Sequence, residues 1–110
     1  MGLYPTNSMS VNKFILGDSR TNIIVVEDSK NVEKMLELKG ELPHLKKIVQ
    51  YSGTPNPHPD VIGWADLLKL GQKESDENLV KRQKVMAINQ CAVLVYTSGT
   101  TGMPKGTYQI

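Results

Sequence analysis

The run Tyr96-Thr97-Ser98-Gly99-Thr100-Thr101-Gly102-Met103-Pro104-Lys105-Gly106 sets three glycines, four serine and threonine hydroxyls and one lysine directly behind the apolar segment Ala92-Val93-Leu94-Val95. A triphosphate concentrates negative charge in a small volume, so a site for it needs many donors close together. Glycines allow backbone amides to approach where a Cβ would collide. Thr97, Ser98, Thr100 and Thr101 add hydroxyl donors, and Lys105 adds a mobile cation able to follow charge onto a leaving group. Pro104 restricts how such a loop can swing. The residues whose chemistry suits phosphate are therefore Gly99, Gly102 and Gly106 through their amides, Thr97, Ser98, Thr100 and Thr101 through their hydroxyls, and Lys105 through its ammonium group. They act as clamps, and no residue of the chain is assigned as catalytic.

The spacing is not that of a Walker P-loop, which needs glycine, four residues, then Gly-Lys-Ser/Thr. Here four residues separate Gly99 from Pro104, which stands where the second glycine should be, and Lys105 is followed by Gly106. A glycine-threonine turn with a solvated lysine is the bland alternative. It is outweighed by the length of the ordered run and by the apolar strand before it. His44 and His58 stand beside Pro43 and Pro57 without a second ligand at metal spacing, so both read as surface loop residues and no metal site is assigned.

The elements that must position the loop alternate between strand and helix. Ser10 could cap a short helix over 11–16 that stops at Gly17-Asp18. Asn22-Ile23-Ile24-Val25-Val26 is too short and too β-branched for a helix and reads as a strand covered on both faces. Ser29 is the expected cap of a helix with Val32, Met35, Leu36 and Leu38 inward, ended by Gly40. Ile48-Val49 forms a second strand, and prolines 55, 57 and 59 make 52–60 a loop. Trp64, Leu67 and Leu68 resume helical spacing with Trp64 in the core, and a polar helix follows from Glu77 to about Val85. Ala92 to Val95 is the firmest strand, apolar on both faces and ended by Tyr96. A placement of that strand outside the sheet, or Lys105 and the neighbouring amides pointing in divergent directions, would overturn the phosphate reading as argued from the sequence. The fold class expected is α/β, a mostly parallel sheet flanked by helices, in one unit over residues 1–110.

With 39% apolar and 22% charged residues, the composition is that of a soluble globular chain. A net charge of +2 is too weak to draw nucleic acid or an anionic membrane. Cys91 has no internal partner and reads as a buried small side chain in a reducing compartment. No apolar run reaches the ~20 residues that span a bilayer. Met1-Gly2-Leu3-Tyr4-Pro5-Thr6 fits the short myristoylation pattern, a low-specificity match.

Residues 96–106 resemble the signature loop of the AMP-forming adenylating enzymes. Gly2-Leu3-Tyr4-Pro5-Thr6-Asn7-Ser8, Ile48-Val49-Gln50-Tyr51 and 89–96 resemble, within that superfamily, the bubblegum-type long-chain fatty acyl-CoA synthetases. The resemblance implies the large N-terminal domain of an adenylate-forming enzyme, and ATP contact by Thr97, Ser98, Gly99, Thr100, Thr101, Gly102, Met103, Pro104 and Lys105. It also implies ATP, Mg2+ and coenzyme A as cofactor and co-substrates, and long-chain fatty acid as substrate. The reaction implied joins fatty acid, ATP and coenzyme A into acyl-CoA, AMP and pyrophosphate. By the same resemblance the location is cytoplasmic, with peripheral attachment to endoplasmic reticulum or other internal membranes, and the wider role is lipid metabolism. Tyr4, Pro5, Thr6 and Asn7 are expected to shape a turn beside the site rather than to bind.

The family continues past the loop with an apolar residue and a helix, whereas here Thr107-Tyr108-Gln109-Ile110 follows Gly106. The adenine- and ribose-binding segments, the hinge and the C-terminal lysine of the family are absent. The expectation is a partial AMP-binding domain, truncated after its loop and inactive alone. The rival reading is a non-catalytic decoy that pairs with a full-length synthetase through an exposed sheet edge. A free-standing Walker-like domain is the weakest option.

Overall fold

The computed structural model describes residues 1–97 and 102–110. Helix α1 (Met9–Asp18) leads to strand β1 (Ile23–Val26), helix α2 (Ser29–Lys39) and strand β2 (Lys47–Gln50). Strand β3 (Val61–Gly63), helices α3 (Trp64–Gln72) and α4 (Asp76–Lys84), and strands β4 (Val93–Thr97) and β5 (Lys105–Gln109) complete the order. The first three strands form a parallel sheet in the order β1-β2-β3, and among the described residues β4 pairs with β5 alone.

The register explains the core. Ile24, Ile48 and Val61 stand side by side across the parallel sheet. Ile24 and Ile48 are buried with Leu16 of α1, Val32, Met35 and Leu38 of α2, and Leu42 and Leu45 of the turn that follows. Val61 packs against the edge of that cluster. The next row, Val25, Val49 and Ile62, faces the other way. There α3 packs against β2 and β3, and Val49 is 1% exposed while Val25 is 51% exposed. The expected strand at Ile23–Val26 is thus covered on one face, with Ile23 and Val25 in the open.

Helix ends fall where side chains satisfy free amides. Ser8, not Ser10, caps α1 and accepts from the Val11 amide at 3.3 Å. The helix runs through Gly17 to Asp18 and closes on Arg20, whose φ of 51° lets its amide reach the Gly17 carbonyl and the Thr21 amide reach that of Leu16. Asp28 rather than Ser29 caps α2, accepting from the Asn31 amide at 2.9 Å.

Two parallel strands normally need a long crossover, often a helix. Between β2 and β3 the proline-rich stretch does that work without one. Buried Gln50 organises it: its amide donates to the Ser52 and Thr54 carbonyls at 2.7 and 3.0 Å, and its carbonyl accepts from the Asn56 amide at 3.0 Å. At the far end, Asp60 meets Lys39 at 3.0 Å and Lys47 at 3.7 Å. The hydrogen bond from Lys39 holds its carboxyl below the usual range. Gln50→Leu keeps the bulk and removes all three bonds. It is expected to cost about 1–3 kcal/mol and to open the 52–60 stretch to proteolysis, as a urea midpoint and a limited digest would show.

Several expectations are corrected. Cys91 is exposed. Trp64 opens α3 and is 46% exposed instead of filling the core. The firmest strand exists but not as expected: β4 lies outside the parallel sheet, in an antiparallel ribbon, and Val93 and Val95 are exposed. Its partner β5 begins only eight residues after Thr97, so the ribbon closes by a short return, whereas joining the parallel sheet would need another crossover. Among the described residues no helix is long and apolar enough to cross a membrane.

Candidate nucleotide site

The ribbon fixes both ends of the signature loop. Its ladder pairs Val95 with Thr107, Tyr96 with Gly106 and Thr97 with Lys105. Residues directly opposite on an antiparallel pair project to the same face. Thr97 and Lys105 therefore bring a hydroxyl and a cation to one face, both exposed. Tyr96 and Gly106 occupy the other face. Gly102 has a φ of 97°, a left-handed conformation that side chains disfavour. Met103 is exposed and Pro104 half-buried. Ser98, Gly99, Thr100 and Thr101 lie outside the described residues. The structure thus joins Thr97 to Lys105 across the base of the run, and places Gly102, Met103 and Pro104 on the approach to Lys105.

β4 lies outside the parallel sheet, the outcome set against the phosphate reading, so the argument from a fully buried strand is overturned. What stands in its place is local, since the last rung of a ladder sets Thr97 against Lys105.

Behind that rung the ribbon is tied to the main body. Tyr96 is 6% exposed, and its hydroxyl donates to Asp18 Oδ2 at 2.5 Å. Burial, and then the hydrogen bond to the Asp18 carboxylate, push its phenol up to about 12 from the ordinary 10.0. A group whose pKa is raised by folding adds stability in full below its unfolded value and loses it as pH rises through the folded one. The stability gap between the wild type and Tyr96→Phe should therefore be constant below pH 10 and shrink between pH 10 and pH 12. Denaturant midpoints of the two proteins across that window provide the check.

The N-terminal segment runs beside the ribbon. The Asn7 amide closes a turn on the Tyr4 carbonyl at 3.0 Å. Met1–Tyr4 and Val93–Tyr96 line a groove of about 270 Å³. A larger groove of about 630 Å³ follows β1. Neither of these two grooves is lined by Thr97, Gly102, Met103, Pro104 or Lys105. His44 and His58 are exposed. The His58 Nδ1 accepts from the Asp60 amide at 3.1 Å, a loop role.

A hydroxyl, a left-handed glycine and a lysine at one ladder end suit an anionic phosphate chain. Among the described residues no group of three or more His, Cys, Asp or Glu gathers to hold a metal ion.

The sequence profile of the AMP-binding enzyme family matches residues 1–109. The chain belongs to that family. It is 43% identical over 106 residues to the long-chain-fatty-acid–CoA ligase ACSBG1 of Rattus norvegicus, covering 96% of this chain and 15% of that one. It is 39% identical over 107 residues to the long-chain-fatty-acid–CoA ligase ACSBG2 of Xenopus laevis, covering 96% of this chain and 14% of that one. These relatives are of the bubblegum type. The fold aligns with the anthranilate CoA ligase AuaEII, solved in complex with anthranoyl-AMP, with a TM-score of 0.72. That alignment covers 96% of this chain and 19% of the ligase at 23% identity, and so speaks for the fold alone. The α/β class with a parallel sheet is confirmed, and the chain spans about one seventh of the length of the curated relatives it matches.

Asp18 is the site residue that the sequence reading missed. An acid in the last turn of a helix opposes the helix dipole and normally lacks support there. That mismatch was the signal available in the sequence, but its partner lies 78 residues away.

Proposed function

We propose that this chain is the part of a long-chain fatty acid–CoA ligase that carries its ATP phosphate loop, in a partial AMP-binding domain over residues 1–110. Thr97, Ser98, Gly99, Thr100, Thr101, Gly102, Met103, Pro104 and Lys105 contact the phosphates. The observation that supports this most directly is the Thr97–Lys105 rung, which sets hydroxyl and ammonium on one face at the base of the run. As a carboxylate oxygen attacks the α-phosphorus, negative charge grows on the departing pyrophosphate. Donors already in place stabilise it without reorganising. When bound, ATP supplies the activated phosphorus, and Mg2+ and coenzyme A belong to the same reading through the family. Long-chain fatty acid is the acid activated, the setting is cytoplasmic lipid metabolism, and any attachment to endoplasmic reticulum is peripheral.

Binding without turnover is the behaviour proposed for the chain alone. Calorimetric titration with ATP, and competition by pyrophosphate, should show saturable binding. An ATP-blind chain would sink the proposal. Fatty-acid-dependent exchange of labelled pyrophosphate into ATP should be absent, and its presence would refute the inactivity.

A second reading is a decoy that pairs with a full-length synthetase. It is supported by Val93, Val95 and Tyr108, all exposed on a two-stranded ribbon. Co-purification with the intact ligase that persists in Lys105→Ala, together with no ATP binding by the wild type, would favour it.

A further inference from the structure

We infer that Asp18 and Tyr96 form a latch that positions Thr97 and Lys105, so that the end of α1 sets the geometry of the candidate phosphate site. The inference rests on the phosphate reading of that site. One specific bond links the ribbon to the main body: the hydroxyl of buried Tyr96 on β4 donates to Asp18 in the last turn of α1.

Three features converge on it. Tyr96 is one residue from Thr97, and its partner Gly106 is one residue from Lys105, so the latch acts on the rung next to the functional one. Gly106 is open to the ring for a steric reason: a Cβ there would stand 3.0 Å from Cε1 and Cζ of Tyr96, closer than such contacts normally come. Asp18 is presented by the turn at Arg20, and its charge at a helix C-terminus is unfavourable without a donor. The donor is Tyr96. Elsewhere on the ribbon, side chains such as Val93, Val95 and Tyr108 are exposed, so the Tyr96 side chain is its buried anchor among the described residues.

Electrostatics and geometry make opposite forecasts, which makes the inference testable. Asp18→Ala removes a negative charge near an anion site, which by charge alone would tighten ATP binding. If Asp18 positions the rung, the same change weakens it.

The experiment is an ATP titration of the full chain and of Tyr96→Phe, Asp18→Ala, Asp18→Asn and the Tyr96→Phe/Asp18→Ala double variant. Amide hydrogen exchange is measured on each. Tyr96→Phe and Asp18→Ala should each weaken ATP binding about tenfold, the scale of one hydrogen bond to a charged group. The double variant should be no worse than either single one, as expected for two halves of one contact. Asp18→Asn keeps an acceptor oxygen and should restore binding. Exchange should accelerate more in β4 and β5 than in β1, β2 and β3. Unaltered ATP affinity in Tyr96→Phe and Asp18→Ala, additive losses in the double variant, or exchange that rises equally throughout the chain would overturn the latch. A wild type that does not bind ATP overturns the phosphate reading and the positioning role with it. In that case the exchange measurement still decides whether the bond holds the ribbon.

Discussion

Lys105→Ala is expected to raise the dissociation constant for ATP by about ten- to hundredfold, the range of a charge-assisted hydrogen bond, while leaving the thermal midpoint in place. Lys105 is exposed, and its backbone, not its side chain, forms the rung with Thr97. Alanine preserves that rung, so a loss of binding reports the ammonium group and not the fold. Screening supplies an independent check. An exposed lysine facing phosphate works through charge, so the gap between wild type and variant should narrow as salt rises from low to physiological strength. Lys105→Arg is not expected to be neutral. A planar fork replaces a compact point charge, and the reach and direction of the donors change. Equal ATP affinity in wild type and Lys105→Ala would remove the lysine from the site.

The largest effect on stability is expected at Ile48. Its side chain is fully buried in the central strand of the parallel sheet, between Ile24 and Val61 and beneath the helices that supply Leu16, Val32 and Met35. Ile48→Ala removes three carbons where the sheet cannot close over the gap from either side, and such changes cost about 2–5 kcal/mol. Against the ~5–15 kcal/mol that holds a typical domain, that is a large fraction. The thermal midpoint should fall by about 10 °C or more. Val25→Ala is the control, since its side chain is half-exposed on the same sheet. It should cost less than about 1 kcal/mol, and a comparable loss at both positions would mean that the core is not centred on β2.

What the residues alone determined was local. The β-branched run at 22–26, the stripe of Val32, Met35 and Leu38, and prolines 55, 57 and 59 each carry their conformation in a short window. The strand, the helix and the irregular stretch are found there. The signature run was legible for the same reason, because glycine, hydroxyl and lysine chemistry needs no distant partner to be recognised. β3 was missed: Val61–Gly63 is three residues long, follows a proline loop, and becomes a strand only because β2 offers it a ladder.

Tertiary structure alone decided which apolar residues are inside. Burial depends on what packs from the other side, so Val49 is covered by α3 while Val25, its neighbour in register, is not. Trp64 and Cys91 look like core by type and lie at the surface. The partner of β4 was likewise a matter of pairing, which a period-two or unbroken apolar pattern does not specify. The Asp18–Tyr96 bond shows the limit most plainly. Neither residue announces the other in sequence, and only the closure of α1 at Arg20 and the register of β4 on β5 bring carboxylate and hydroxyl together.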